Sequence, residues 1–139
     1  MPRANRVSGK PSAIDEAVSK ACEQVPGVQH GALVLLAEGV SIAGFGDESA
    51  FDRERLVRAA VRCLGTSNAF ARGRKTTEFV EYVFLSAEQV TVILRGKVRP
   101  RLALVLACTS ESNLALVLTT ARRALGALEL TSELMEWVA

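Results

Sequence analysis

The chain is poor in the residues that most chemistry needs. Its 139 residues hold one histidine, one tyrosine, one tryptophan and three cysteines. General acid–base work or metal binding needs several such groups to converge. The only histidine, His30, opens an apolar stretch with no ligand cluster beside it, so it reads as a strand-end residue with one hydrogen bond. Cys22, Cys63 and Cys108 lie far apart within apolar patterns. An odd count without CxxC spacing points to reduced thiols in a reducing compartment, with Cys63 a small core or interface residue. The sequence has neither a GxxxxGK[ST] phosphate loop nor a three-glycine dinucleotide fingerprint, and Gly44-Phe45-Gly46 reads as a plain turn. Asp47, Glu48 and Asp52 lack calcium-loop spacing and read as charges at a helix start. No cofactor, no metal and no catalytic set is expected, so the chain reads as a binding protein rather than an enzyme. The longest apolar runs, 32–37 and 102–108, are strand-length and far short of a membrane span. The basic N-terminal stretch lacks the apolar segment of a signal peptide. The expected setting is the cytoplasm, away from membranes.

What is present is a core-forming pattern. Hydrophobic residues make up 49% of the chain, enough for one folded domain. Residues 1–11 are polar and basic and read as a flexible arm. A helix is predicted from Ser12, which caps it with Asp15 in support. Ile14, Val18, Ala21, Cys22 and Val25 form its apolar stripe, and Pro26-Gly27 ends it. Residues 30–37 read as a buried strand, Glu38-Gly39 as a two-residue turn and 40–45 as the returning strand. A second helix runs from a cap at Asp52 to residue 71, with a wide stripe of Leu56, Val57, Ala60, Val61, Leu64, Ser67 and Ala71. Three strands follow at 76–85, 89–95 and 101–108. A last helix, capped by Ser110 or Ser112, buries Leu114, Val117, Leu118, Ala121, Leu125 and Leu128. From residue 128 an amphipathic tail places Leu130, Leu134, Met135 and Trp137 at apolar spacing. The order is α-β-β-α-β-β-β-α, a fold of the α+β class with a strand meander and helices packed on it.

That order, with two sequence landmarks, resembles the roadblock/LC7 family. GALVLLAEGVSIAGFG (31–46) is similar to the family's first hairpin, in which an apolar strand turns at an acidic-Gly pair and returns. LALVLACTSESNLALVLTTARRAL (102–125) is similar to its last strand and helix, with a polar loop ending in Asn-Leu and a basic pair after an aliphatic stretch. The resemblance spans residues 12–127. It implies a five-stranded antiparallel sheet, profilin-like, between one central helix and the two terminal ones. It also implies a homodimer or heterodimer in which second helices and third strands of two protomers meet. Carried over, the interface takes in Leu56, Ala60, Cys63 and Ser67 on the second helix and Val80 and Tyr82 on the third strand. Proteins of the family regulate or scaffold, often beside small Ras-like GTPases that set polarity or motility. The chain departs from the family pattern at Ala115, where many members have glycine, in its tail with Trp137, and in its very basic 95–101 hairpin.

The charge distribution adds a docking surface. Residues 53–75 hold seven Arg or Lys against Glu54 alone, and 95–101 hold Arg95, Lys97, Arg99 and Arg101 with no acid. Arg55, Arg58 and Arg62 recur at helical spacings of three and four. With Arg74 and Arg99 in loops, they form the candidate patch for an acidic partner surface, set against the plain reading of a solvated face. Few aromatics and no nucleic-acid motif argue against nucleic acid. The resemblance implies a dimeric, non-enzymatic regulator or scaffold of a small Ras-like GTPase, with this patch as its docking surface. Two readings stand beside it: a structural adaptor of a motility or transport complex with no GTPase, and a small-molecule sensor with an apolar pocket lined by Phe45, Phe79 and Phe84.

Overall fold

A computed structural model describes residues 12–46, 50–71 and 81–131, with the side chains of residues 12, 50–52 and 65–71 outside that description. The elements are α1 (Ser12–Cys22), β1 (Val28–Leu35), β2 (Val40–Gly46), α2 (Ala50–Ala71), β3 (Glu81–Leu85), β4 (Gln89–Arg95), β5 (Leu102–Thr109) and α3 (Leu114–Glu129). This is the α-β-β-α-β-β-β-α order expected from the sequence. The strands form one antiparallel sheet in the order β2-β1-β5-β4-β3. Each half of the chain makes its own local pairings, and β1 and β5 join the halves at the centre.

Side-chain alternation divides the apolar residues between two layers. On one face Leu33, Val92, Leu94, Leu104 and Leu106 meet Ile14 and Val18 of α1 and Val117, Ala121 and Leu125 of α3. On the other, Ala32, Val34, Ile93, Ala103 and Val105 meet Leu56, Ala60 and Leu64 of α2. The central β5 is apolar along nearly its whole length because both faces are covered, and residues 102–108 are all buried. Burying a leucine of this kind is worth about 1.5–3 kcal/mol, so the two layers dominate the fold's stability.

Several boundaries differ from the sequence reading. α1 ends at Cys22, ahead of Pro26-Gly27; a turn with the Val25 amide bonded to the Cys22 carbonyl still brings Val25 into the core. The connection between β1 and β2 is four residues, 36–39, closed by the Gly39 amide on the Leu35 carbonyl, rather than a two-residue turn. β2 runs on through Gly46, so Gly44-Phe45-Gly46 is strand and not turn. α2 begins at Ala50, which puts the expected cap Asp52 inside the first turn. The cap of α3 is Asn113, whose Oδ1 accepts from the Leu116 amide at 3.1 Å. Ser112 instead shares a 2.9 Å hydrogen bond with Thr109. α3 extends through Glu129, so residues 128 and 129 belong to the helix rather than to a tail. The expected arm 1–11, the expected start of the third strand at 76–80 and residues 132–139 lie outside the described residues. No described helix is long and apolar enough to cross a membrane.

Candidate interaction surface

Among the described residues the sheet ends laterally at β3, a short strand paired on one side only, with β4. An edge strand carries a row of backbone groups with no strand to meet them. Its side chains are unusually apolar for that position. Tyr82 and Phe84 point to the α2 side and stack in parallel, ring centroids 6.3 Å apart. Phe84 is 47% exposed and Leu85 69%. α2 lies over the centre of the sheet, and among the described residues nothing covers this flank. Between them runs an open groove of about 560 Å³, lined by Arg55, Leu56 and Ala59 of α2 and by Phe84, Gln89 and Thr91. His30 of β1 lines its inner end, half-buried and paired in register with Gly46 and Ala107.

The expected interface residues divide sharply. Ala60 is fully buried and Leu56 is 9% exposed, because both face the chain's own sheet. Ala60 is a core residue, and Leu56 belongs to the core while its margin lines the groove. Cys63 and Tyr82 are partly buried at the margin of the same cluster and remain at the surface. Val80 and the side chain of Ser67 lie outside the described residues. The flank of α2 that faces outward here carries Arg55 and Ala59 instead.

Three of the five expected partner-binding arginines lie on one helix. Arg55, Arg58 and Arg62 are all exposed on α2, and the Arg55 side chain enters the groove. Arg99 stands on the β4–β5 hairpin at another end of the molecule, so it is not part of the α2 set; Arg74 lies outside the described residues. Sequence reading missed Arg53, whose guanidinium lies flat on β2. A Cβ at Gly44 would meet it at 2.7 Å, so a larger residue there would make the arginine side chain shift. It also missed Phe84 as the exposed apolar member of the surface, although strand alternation placed it beside Tyr82.

The arrangement offers little for chemistry. Among the described residues no group of His, Cys, Asp and Glu could hold a metal. Cys22 and Cys108 are buried, and burial pushes their thiols up to about 12 and 11, with each other's proximity adding to the shift at Cys22. Cys63 is pushed up as well, again by desolvation. None is a thiolate at neutral pH. The sensor pocket also fails on geometry. Phe45 packs on the α1/α3 layer and Phe84 stands on the α2 side, so the sheet separates them; Phe79 lies outside the described residues.

No family model matches the sequence, and no curated protein matches it significantly. Solved structures match over most of the chain. MglB from Myxococcus xanthus superposes with a TM-score of 0.74 at 16% identity, over 92% of this chain and 91% of its own. A roadblock/LC7 domain from Streptomyces avermitilis gives 0.70 at 12% identity, over 83% of this chain and 93% of its own. The gliding protein MglB from Thermus thermophilus gives 0.69 at 18%, over 92% of this chain and 95% of its own. At these identities the likeness is one of fold, and it agrees with the element order and sheet built up above: the chain folds as a roadblock/LC7 domain.

Proposed function

We propose that the chain is a cytoplasmic, non-enzymatic regulator or scaffold that works as a dimer and binds a small Ras-like GTPase. The observation that carries this reading is the open β3 edge with Phe84 and Leu85 exposed beside it. A second copy that pairs its own β3 with this edge satisfies the strand's backbone groups and covers the two side chains about a twofold axis. The interface then consists of β3 with Tyr82, Phe84 and Leu85, and of the α2 flank with Arg55, Ala59 and Cys63. Dimerisation sets two copies of Arg58 and Arg62 close together and doubles the basic surface open to an acidic partner. The solved neighbours support an assembling regulator: one is described as a gliding protein and another as MglB with a tetrameric arrangement. The GTPase itself rests on the family resemblance.

Two measurements test the reading separately. Sedimentation velocity of the unsubstituted chain should give a dimer, and Phe84→Asp a folded monomer; a monomer throughout removes the interface. Capture from the native cell extract, run with a GTP analogue and with GDP, should retain a Ras-like GTPase in one nucleotide state. Capture that ignores the nucleotide moves the chain to the adaptor class.

A further inference from the structure

The connection between β4 and β5 brings aliphatic and cationic side chains to the surface together. Residues 96–101 read Gly-Lys-Val-Arg-Pro-Arg, and all but Gly96 are exposed. Val98 stands 63% exposed between Lys97 and Arg99. The backbone beneath it is fixed. The Gly96 amide donates to the Leu102 carbonyl and the Leu102 amide to the Arg99 carbonyl, both at 2.9 Å. Arg95 Nε donates to the Pro100 carbonyl at 2.9 Å. Glu129 of α3 accepts from the Val98 and Arg99 amides. That contact also brings up a second aliphatic group, because Leu130 follows Glu129 at the end of α3 and is 79% exposed. Among the described large hydrophobic side chains, only Leu85 on the β3 edge is comparably open.

The acids at this end are already engaged. Glu129 is buried and serves the two amides. Glu81, whose carboxylate also feels Lys97, is gripped by Arg122. The turn after β1 flanks the hairpin, its Leu36 amide donating to the Arg101 carbonyl at 2.8 Å, and there Glu38 meets Arg101 at 3.1 Å. Both side chains of that last pair are largely exposed, so other anions can exchange into it. Lys97, Arg99 and Arg101 therefore give this end of the sheet a positive surface around two aliphatic side chains.

We infer that the β4–β5 hairpin end docks on the surface of an anionic lipid bilayer, with Val98 and Leu130 among the headgroups and Lys97, Arg99 and Arg101 against their phosphates. Charge complementarity selects the anionic surface. The aliphatic pair selects a bilayer over an acidic polypeptide, because it fits a layer that is anionic outside and apolar beneath. An added peptide strand needs open backbone donors, and here the amides of residues 96, 98, 99 and 102 are all used within the fold. The contact is peripheral and crosses nothing. The β3 edge runs along the side of the sheet, so it stays open while the hairpin end is on the membrane. The docking depends neither on the dimer nor on a GTPase.

Co-sedimentation of the full chain with lipid vesicles tests this. At about 0.1 M salt, the chain should pellet with vesicles of phosphatidylcholine containing about one third phosphatidylglycerol, and stay in solution with phosphatidylcholine alone. Lys97→Ala and Arg101→Ala should each lower the vesicle affinity about fivefold. Val98→Ser combined with Leu130→Ser should lower it at least as far with the charge unchanged. Lys20→Ala removes a cation from α1, towards the opposite end of β5 where Val28 pairs with Cys108, and should leave binding nearly unchanged. An unsubstituted chain that ignores the anionic vesicles overturns the inference. So does a serine pair that binds as well as the unsubstituted chain, or a Lys20→Ala loss equal to that of Lys97→Ala, since either means attraction by net charge alone. Equally tight binding to immobilised polyglutamate, abolished by the same serine pair, also overturns it and assigns the hairpin end to an acidic protein.

Discussion

The Glu129 carboxylate accepts a hydrogen bond from the Arg99 amide at 2.6 Å, with the Val98 amide on the same oxygen at 3.0 Å. One side chain from the last turn of α3 therefore serves two hairpin donors contributed by a distant part of the chain. Gly96 allows the approach, since a Cβ there would meet Glu129 Oε2 at 2.4 Å. Charge-assisted bonds of this kind are worth more than neutral ones, and losing the acceptor strands both amides. Glu129→Ala should lower stability by about 2–3 kcal/mol. Glu129→Gln, which keeps an acceptor oxygen, should cost less. Urea unfolding of the two variants decides it; equal midpoints for Ala and the unsubstituted chain would remove the latch.

Arg122 of α3 grips Glu81 of β3 with two hydrogen bonds, 2.6 and 2.8 Å long. The arginine's hydrogen bonds hold the Glu81 carboxyl below its ordinary value of 4.5, outweighing partial burial. A lowered carboxylate pKa contributes stability that is present above 4.5 and lost as pH falls through the lowered value. Arg122→Ala should therefore be less stable than the unsubstituted chain at neutral pH, and the difference should shrink below pH 4.5. Arg122 is exposed and Glu81 only partly buried, so the effect is small. A difference that stays constant across this range would show that packing of the arginine stem, not the ion pair, is responsible.

Gly46 closes β2 with φ of +99°, and a Cβ there would lie 2.3 Å from the Gln29 carbonyl and 2.5 Å from the His30 Cα. Both obstacles are backbone and cannot swing away. Gly39 has φ of +69° with nothing within 4 Å. Gly39→Ala should cost about 1 kcal/mol from backbone strain alone. Gly46→Ala should cost clearly more, because it also forces β1 and β2 apart. Thermal unfolding of the two variants would contradict this if they matched.

The thiols should react in a fixed order. At pH 8 a thiol reagent should label Cys63 slowly and leave Cys22 and Cys108 untouched until denaturant is added. The raised values carry a pH consequence. Their stabilising contribution is complete below the ordinary 9.0 and is lost as pH climbs towards 11 and 12. Alkaline unfolding should accordingly begin earlier in the unsubstituted chain than in Cys22→Ser with Cys108→Ala, once each is referred to its own stability at pH 7. Rapid labelling of all three thiols under native conditions would show the α1/α3 layer to be open.

Sequence patterns located nearly every element here, and they failed for definable reasons. β4 was legible to the residue, since Val90, Val92 and Leu94 alternate with Thr91, Ile93 and Arg95 between clear turns. The cap of α3 was not, because Ser110, Ser112 and Asn113 are all good caps and only the backbone path chooses among them. Leu56 and Ala60 show the limit of periodicity. A helical stripe says which face is apolar but not whether a sheet of the same chain or a second protomer covers it. Glu129 left no signal at all, because a lone acid after Leu128 finds its reason in amides thirty residues away. The aromatic sensor pocket failed because Phe45 and Phe84 sit on strands whose parity through the sheet is set only by register.

The pairing of β1 with β5 at the middle of the sheet orders events during synthesis. The β1–β2 hairpin, including Leu33 and Val34, leaves the ribosome long before Leu104 and Ala103, the residues they will lie against. Until β5 emerges, β1 exposes a long apolar edge, the kind that recruits strands from other nascent chains. Non-local closure of this sort is slow compared with local hairpin formation. Productive folding of this small domain thus depends on its last strand and helix arriving before the first hairpin finds a wrong neighbour.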